Sequence, residues 1–472
     1  MKKHFLLTLA LIVAASVSVF GQQAKYVFYF IGDGMGINQV NATETYRAEL
    51  EGRIGITPLL FAQFPFATMA TTYSANSGVT DSSASGTALA SGRKTNNNAL
   101  GVEPDLETPT KSIAVMAKEK GMRVGIATSV TIDHATPASF YAHSASRYNA
   151  FAIEKQLIEA DFDYYAGSEF SAPTNRRAPE EGTIYEQAEK AGYTIARGYE
   201  DYQKKAASAK KMIMLQTEEG TKRDRGSLSY AIDREEGDLT LAEITRAGID
   251  FLSKDLSKGF FFMVEGGKID QACHANDAST TFAEIEDLDE AIKEAYEFYK
   301  KHPEETLIVV TADHETGCFT LGNGEYKLNF QVLQHQRMSV SKLSSKLGQL
   351  RKSTDNKVTW EMIQNTLKEN FGLFGPIELD EKQEARIRQV YEENYANNGE
   401  ATFSVSLYQK DEKLATVAKE IINEIAQIGW VSGAHSNGYV PVFSIGAGAE
   451  KFSHRTDNAE IPMKIADAAG LR

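Results

Sequence analysis

Residues 26–33 read YVFYFIGD, a run of apolar and aromatic residues that ends in Gly32 and Asp33. Two further segments have the same form: residues 259–266, GFFFMVEG, and residues 306–314, TLIVVTADH. Short continuous apolar runs rich in β-branched and aromatic residues are typical of strands that are buried on both faces. The sequence therefore predicts several buried strands, each with an acidic residue at or just beyond its carboxyl end.

Helical patterns separate these runs from one another. Further strands are predicted at residues 123–130, 211–215 and 440–446, and amphipathic helices at 112–121 and 280–301, the second starting after Thr280 and Thr281 with acids in its early turns. Alternation of this kind indicates an α/β fold with a mostly parallel central sheet flanked by helices on both faces. In such folds, ligands bind beyond the carboxyl ends of the strands.

Composition and charge exclude some classes of partner. The chain has 472 residues, a formal net charge of -14 and the residue usage of an ordinary globular protein. An acidic surface of this kind disfavours nucleic acid binding, because it repels the phosphate backbone. It would also repel phosphorylated substrates, so a phosphate site here must be made locally positive by metals, an arginine or a helix N-terminus.

The N-terminus has the form of a signal peptide. Lys2 and Lys3 precede the apolar residues 5–19, and Gly21 offers a small residue for cleavage. The alternative, a transmembrane anchor, is disfavoured because a helix needs about 20 apolar residues to span a bilayer and this run is shorter. We therefore predict a signal peptide over residues 1–21, export to the periplasm or beyond, and no membrane anchor.

Residues 322–428 differ from the rest in being polar, rich in Lys, Glu and Gln, and helical in pattern. Residues 414–428, LATVAKEIINEIAQI, keep apolar residues at helical spacing, which favours a folded segment over a disordered linker. We predict an inserted, mainly helical cap subdomain at 322–428. The α/β catalytic domain would then comprise residues 22–321 and 429–472.

The predicted strand ends carry many metal-ligating side chains. Carboxylates and imidazoles in these numbers suit two or three hard or borderline cations. The residues are Asp33, Glu265, Asp270, His274, Asp313, His314 and His435. Asp270 and His274 are four positions apart, as on one face of a helix, although a helix-start acid and a surface histidine would give the same spacing. Cys273 and Cys318 are interpreted as small residues near the site, free or joined in a disulfide.

A serine-rich segment supplies a candidate nucleophile. Residues 78–92, GVTDSSASGTALASG, predict a loop that runs into a helix beginning at Asp81 or Ser82. A serine there is more often an N-cap than a nucleophile. A nucleophile in that position would nevertheless have its incoming phosphate stabilised by the helix dipole and free amides.

Residues 133–147, DHATPASFYAHSASR, add a hydroxyl ligand candidate, Thr136, and an arginine, Arg147. Arginine can hold two phosphate oxygens with its planar fork. His143 in this segment is interpreted as a packed histidine.

Taken in chain order, these motifs resemble those of the alkaline phosphatase family, from Tyr26 to His314 and again from Gly433 to Ala449. The resemblance implies that Ser82 is the serine that becomes phosphorylated and that Arg147 grips the phosphate. It implies two Zn2+ and one Mg2+. Their ligands would be Asp270, His274 and His435 for the first zinc, Asp33, Asp313 and His314 for the second, and Asp33, Thr136 and Glu265 for the magnesium.

Two positions depart from the best-known bacterial pattern. His134 stands where that branch has aspartate, and Gln271 stands where it has lysine. Both are expected near the third metal or its waters, and the identity of that metal stays open. Asp81, beside the serine, is a further candidate that would act through its neighbours.

The predicted function is metal-dependent hydrolysis of small phosphate monoesters at alkaline pH through a phosphoserine, by a chain that the resemblance implies forms a homodimer. The alternatives are a phosphodiesterase of the same superfamily and a non-catalytic phosphate- or metal-binding protein. Arg147 disfavours the first, because a diester's second substituent would compete for its space. A sulfatase is disfavoured because the chain contains no Cys-x-Pro-x-Arg or Ser-x-Pro-x-Arg segment.

Overall fold

A computed structural model describes residues 23–224, 226–324, 326–396 and 399–472. The predicted signal peptide, residues 1–21, lies outside the described residues. Within the described ranges, no helix combines the length and the apolar character that crossing a bilayer requires.

The strands are β1 (Tyr26–Gly32), β2 (Phe66–Thr71), β3 (Arg123–Thr128), β4 (Tyr164–Gly167), β5 (Tyr193–Arg197), β6 (Lys211–Leu215), β7 (Phe260–Gly266), β8 (Thr306–Thr311), β9 (Glu315–Thr316), β10 (Phe319–Leu321), β11 (Phe403–Val405), β12 (Lys410–Glu412), β13 (Ile428–Trp430), β14 (His435–Ser436), β15 (Val440–Gly446) and β16 (Thr456–Asp457). The helices are α1 (Ile37–Leu50), α2 (Ser82–Ser91), α3 (Ile113–Glu119), α4 (Ala135–Ala138), α5 (Ala150–Ala160), α6 (Ile184–Lys190), α7 (Tyr199–Ala206), α8 (Glu218–Arg223), α9 (Leu241–Leu252), α10 (Lys268–His274), α11 (Ala278–Tyr299), α12 (Val340–Ser353), α13 (Trp360–Phe371), α14 (Glu381–Asn394), α15 (Lys413–Ala426) and α16 (Ile461–Ala468).

One ten-stranded sheet forms the centre of the fold, in the order β16-β2-β15-β8-β1-β7-β3-β4-β6-β5. Its strands are parallel to their neighbours except β15, which is antiparallel to both β2 and β8. Strands β1, β7 and β8 are buried along their whole length. Their continuous apolar sequences follow from this burial on both faces, and the predicted mostly parallel sheet is confirmed.

Helices cover both faces of the sheet. Phe261 and Phe262 in β7 point to opposite faces because side chains alternate along a strand. Phe262 meets α9 so closely that a Cβ at Gly248 would lie 2.3 Å from its Cζ. On the other face, Phe261 stacks on Phe140, just beyond α4, at a centroid distance of 6.3 Å.

The sequence predictions differ from the structure mainly at edges and element ends. Helix α11 begins at Ala278, so Thr280 and Thr281 lie inside it rather than before it, because the Asp277 side chain caps it by accepting from the Thr280 amide. In the ten-stranded sheet, strands β2, β4, β5 and β16 were not predicted. β4 has only four residues, and Thr68 and Thr71 interrupt the apolar residues of β2, so neither gives a long continuous apolar run.

The segment 322–428 holds α12, α13, α14 and α15 and the antiparallel pair β11–β12. These helices share a buried apolar cluster that includes Leu343, Ile363 and Ile421. The pair β10–β13 joins the two ends of the segment, with Leu321 opposite Ile428. Burial of this kind explains why the apolar residues keep a helical period here. The division of the chain into domains stays a prediction.

Candidate active site

The carboxyl ends of three neighbouring strands bring the first set of acids together. Asp33 follows β1 directly, Asp313 follows β8 within two residues, and Glu265 lies in β7 opposite Ile31 of β1. All three carboxylates are fully buried. The position agrees with the rule that parallel sheets bind ligands at this edge.

The turn after Asp33 requires glycine. Gly34 has a φ of 74°, and a Cβ on it would lie 2.9 Å from the Cα of Asp270. The Gly34 amide donates to Asp313 Oδ1 at 3.1 Å. The chain therefore passes close enough to α10 for the acid of one motif to meet the acids of two others.

The predicted metal ligands assemble into three groups within the described residues. In each group, one potential ligand atom per residue lies within 4.8 Å of the others. The groups are Asp270, His274 and His435; Asp33, Asp313 and His314; and Asp33, His134 and Glu265. Asp33 belongs to two of them.

The third group differs in one respect from the expectation. The imidazole of His134 takes part directly, with Nδ1 3.6 Å from Glu265 Oε1 and 3.9 Å from Asp33 Oδ2. Thr136 lies nearby, and its hydroxyl donates to Asp313 Oδ2 at 3.3 Å. Gln271 instead accepts a hydrogen bond from Lys268 Nζ at 2.9 Å. Its side chain is thus held by α10 itself rather than by the third group.

The histidines are oriented by bonds to their far nitrogens. Nδ1 of His274 lies 2.6 Å from the Gly433 carbonyl oxygen, and Nδ1 of His435 lies 2.9 Å from that of Thr80. Nδ1 of His314 lies 3.2 Å from Thr316 Oγ1. With Nδ1 occupied in this way, Nε2 of each ring is directed into the site, an arrangement common in metal-binding histidines.

Several buried polar atoms of these groups lack a hydrogen-bond partner among the described residues. They are both carboxylate oxygens of Asp33, Nδ1 of His134, Oε1 of Glu265 and Oδ2 of Asp270. Buried polar atoms are nearly always paired, so a cluster of unpaired ligand atoms calls for a missing partner. A set of carboxylate oxygens and imidazole nitrogens fits divalent cations such as Zn2+ and Mg2+.

Electrostatics lead to the same conclusion. Burial, together with Asp313 and Asp270, raises the pKa of Asp33 well above its ordinary value. Burial and Asp270 raise the pKa of Asp313 to about 8. Burial and the neighbouring His435 hold the pKa of His314 well below its ordinary value. Cations would relieve the repulsion among these acids and keep them ionised.

The candidate nucleophile is not the helix cap. Asp81 is the N-cap of α2, and its side chain accepts from the Ala84 amide at 3.0 Å. Ser82 is the first helical residue, and its Oγ lies 3.3 Å from His314 Nε2. The cap interpretation of Ser82 is therefore wrong, because the aspartate before it performs that role. The hydroxyl of Ser82 points instead to the Asp33–Asp313–His314 group.

Arg147 reaches the same site from the loop that follows α4. Its Nη2 lies 3.3 Å from His134 Nε2, and its Nη1 lies 3.7 Å from Asp81 Oδ2. The guanidinium is largely buried and stands between the serine helix and the third ligand group. His143, in contrast, packs with Nδ1 2.6 Å from the Gly101 carbonyl oxygen. Both cysteines are free, and Cys273 is buried.

Some residues of the site carried no sequence signal. Thr316 donates to Asp270 Oδ1 at 2.6 Å, and Thr128 donates to Glu265 Oε2. Tyr408, from the segment 322–428, places its ring 5.3 Å from that of His274. Thr316 lies two residues beyond His314, and only that proximity could have indicated it.

Fold and site together define an α/β protein with a buried centre of grouped carboxylates and histidines, suited to metal ions, and an adjacent serine. The family model for alkaline phosphatase matches residues 24–172 and 174–471. Alkaline phosphatase 3 of Bacillus subtilis (strain 168) is 30% identical over 456 residues, which is 94% of this chain and 88% of that protein. The chain belongs to the alkaline phosphatase family, and it is accordingly a hydrolase that acts on phosphate monoesters. The predicted membership is confirmed.

Solved structures agree with this assignment. A cold-active alkaline phosphatase from a psychrophilic Shewanella sp. superposes with a TM-score of 0.76 at 28% identity, over 94% of this chain and 99% of that one. A histidine-to-glutamate variant of the TAB5 alkaline phosphatase, solved with Mg bound in its M3 site, has a TM-score of 0.66 at 26% identity, covering 96% of this chain and 99% of that one. Metal dependence is a property of the family.

Proposed function

We propose that this protein hydrolyses phosphate monoesters at alkaline pH through a phosphoserine formed at Ser82. The position of Ser82 carries the proposal. Its hydroxyl lies in the first turn of α2 and 3.3 Å from His314 Nε2, beside a group of buried and unpaired carboxylate oxygens. A serine that only caps a helix would accept from the backbone instead, and Asp81 already does so.

Arg147 and the N-terminus of α2 would bind the phosphate. The free amides and the dipole of the helix favour an anion at this end. Arg147 adds a planar pair of donors on the side of His134. These local positive groups offset the repulsion that a chain with a net charge of -14 would exert on a phosphate.

The covalent chemistry proceeds in two displacements. Ser82 Oγ forms a bond to phosphorus while the bond to the ester oxygen breaks, and the departing alcohol takes up a proton. Water then attacks the phosphoserine, inorganic phosphate leaves, and Ser82 recovers its proton. The two steps share one site, so the same residues hold the phosphorus in both.

We further propose that the centre takes two Zn2+ and one Mg2+. Asp270, His274 and His435 would hold one zinc, and Asp33, Asp313 and His314 the other. Asp33, Glu265 and Thr136, with the adjacent His134, would hold the magnesium. When bound, such ions lower the pKa of coordinated hydroxyls or water and offset negative charge on the ester oxygens.

Alkaline pH favours this chemistry for a reason visible in the ligands. Although burial acts in the opposite direction, Asp270 raises the pKa of His274 above its ordinary value. The ring must be neutral before its nitrogen can bind a metal. We also propose that the protein is exported, which the basic and apolar N-terminal sequence supports. Formation of a homodimer is a further part of the proposal.

Hydrolysis of p-nitrophenyl phosphate at alkaline pH tests the proposal. Turnover should be lost on chelation and restored by zinc and magnesium added together, but not by magnesium alone. Absence of turnover in the fully metal-loaded protein would overturn the proposal and favour a binding protein that holds phosphate reversibly.

A further inference from the structure

A hairpin of the inserted segment reaches the candidate active site. Strands β11 and β12 pair Phe403 with Glu412 and Val405 with Lys410. The turn between them is closed by the Ser406 amide, which donates to the Gln409 carbonyl at 2.9 Å. Tyr408 lies in this turn, so the hairpin presents an aromatic ring at its tip.

The ring of Tyr408 spans two of the three ligand groups. It meets the ring of His274 edge-on at a centroid distance of 5.3 Å and the ring of His134 at 6.3 Å. His274 belongs to the group with Asp270 and His435, whereas His134 belongs to the group with Asp33 and Glu265. Tyr408 therefore borders two of the ligand groups at once.

Arg147 is the third neighbour of this ring. Burial and then Asp270 raise the pKa of the Tyr408 phenol well above its ordinary value, and the Arg147 guanidinium acts in the opposite direction. An arginine can only donate, so the Tyr408 hydroxyl accepts from the Arg147 guanidinium. Tyr408 is 36% exposed, while the adjacent Leu407 is 62% exposed.

The hairpin is fixed in this position by bonds at its tip. Gln409 Nε2 donates to the hydroxyl of Tyr230. The ring of Tyr230 in turn lies 3.8 Å from Lys268 Nζ, which donates to Gln271 in α10. The helix that carries Asp270 and His274 is thereby connected to the hairpin that carries Tyr408.

Its base is fixed as well. The Glu412 amide donates to Ser344 Oγ at 2.8 Å. The Glu412 carboxylate accepts from Arg351 Nε at 3.3 Å and from the Tyr395 hydroxyl. Both ends of the hairpin are thus held by side chains from elsewhere in the fold, as expected of a rigid wall rather than a mobile lid.

We propose that Tyr408 is a specificity-determining residue that discriminates phosphate monoesters from diesters, an inference that rests on the function proposed above. A monoester presents only terminal oxygens to Arg147 and its surroundings. A diester must place a second carbon substituent on one of these oxygens, and the ring of Tyr408 occupies the space beside Arg147 and His134 that the substituent would need. The inserted segment thereby contributes a wall to the site.

The test compares two esters with the same leaving group, p-nitrophenyl phosphate and bis(p-nitrophenyl) phosphate. The ratio of their kcat/KM values is measured for the parent enzyme, Tyr408→Ala, Tyr408→Phe and, as a matched control on the same turn, Leu407→Ala. Because both substrates release p-nitrophenol, a change in the ratio reports on the second substituent rather than on the leaving group. Circular dichroism and Tm show whether each variant is folded.

We expect Tyr408→Ala to shift the ratio toward the diester by on the order of 10-fold, as steric discrimination in a pocket allows. Tyr408→Phe, which keeps the ring, and Leu407→Ala should leave the ratio near the parent value. A folded Tyr408→Ala enzyme with the parent ratio would overturn the assignment while the proposed function stands. A parent enzyme that prefers the diester would instead overturn the proposed function, and the role of Tyr408 with it.

Discussion

The Nε2 atoms of His274 and His435 face each other at 3.1 Å, although 161 positions separate the two residues in the chain. Two imidazole nitrogens at this distance can share one proton, or both can bind a cation. Asp270 lies beside both rings, at 3.2 Å from His274 Nε2 and 3.7 Å from His435 Nε2. This arrangement makes protons and metal ions competitors for the same atoms.

We predict that zinc affinity falls steeply as the pH is lowered. Although burial acts in the opposite direction, Asp270 raises the pKa of His274 above its ordinary value, so protons bind this ring more tightly than a free imidazole. Zinc must displace such a proton, and the affinity at pH 6 should be lower than at pH 8 by about tenfold or more. Competition with a chromophoric chelator measures it. His143→Gln, which changes a histidine outside the ligand groups, is the control, and a pH-independent affinity would contradict the prediction.

We predict that the stability of the metal-free protein falls as the pH rises, whereas the stabilisation that bound metals add increases. The pKa of Asp313 is raised in the folded chain from 3.8 to about 8, by burial and then by Asp270. A raised folded-state pKa stabilises the fold below the unfolded pKa, and this stabilisation is lost as the pH rises through the folded value. The metal-free protein should therefore lose stability between pH 4 and about 8.

Calorimetry of chelated and metal-loaded protein tests this expectation. The difference in Tm between the two forms should widen from pH 5 to pH 9, because bound cations keep the acids ionised without penalty. Asp313→Asn should narrow the difference at high pH, since it removes the charge that repels Asp33 and Asp270. A constant difference across this pH range would contradict the electrostatic account.

The strands that could be predicted from the sequence are those that are buried on both faces. In β1, β7 and β8 every residue is buried, so the apolar run and the strand coincide. The acids at their ends were predictable for the same reason, because parallel strands place their carboxyl ends on one edge. Strand β2 was missed because Thr68 and Thr71 interrupt its apolar residues.

The site was less predictable where packing between distant segments decides it. His134 enters the third group because α4 lies against α2, and that contact depends on Gly86, where a Cβ would lie 2.8 Å from Ser139 Oγ. No local pattern around His134 reports this contact. Tyr408 depends on how the inserted segment folds back over the sheet, and Gln271 turns to Lys268 within its own helix.

Ser82→Ala should abolish both turnover and covalent labelling with phosphate. The neighbouring Ser83→Ala is a matched control, because Ser83 Oγ donates to Asp81 Oδ2 at 2.7 Å and does not point to the ligand groups. That variant should retain labelling, with a modest loss of stability, about 1 kcal/mol, from the missing hydrogen bond. The measurement is acid-quenched incorporation of labelled phosphate. Labelling of Ser82→Ala at the parent level would rule out Ser82 as the nucleophile.

His134→Asp should strengthen magnesium binding at the third group. The imidazole nitrogen now faces Glu265 Oε1 at 3.6 Å, whereas Mg2+ prefers oxygen ligands. An aspartate would add such an oxygen and a negative charge. Calorimetric titration with magnesium should give a lower Kd for the zinc-loaded His134→Asp enzyme than for the zinc-loaded parent. His134→Asn, which adds an oxygen without charge, separates the two effects, and an unchanged Kd in both variants would place the magnesium elsewhere.

Arg147→Ala should raise KM for monoesters more than it lowers kcat. The guanidinium stands 3.3 Å from His134 Nε2 and 3.7 Å from Asp81 Oδ2, beside the N-terminus of α2 where the phosphate is proposed to bind. Hydrogen bonds to charged groups contribute about 1.5–3 kcal/mol, so KM should rise by roughly 10- to 100-fold. Arg147→Lys, which keeps the charge but loses the planar fork, should have a KM between that of the parent and that of Arg147→Ala. Arg93→Ala, whose side chain pairs with Glu103 at the surface, should match the parent. An unchanged KM in Arg147→Ala would mean that the phosphate is held by the helix and the cations alone.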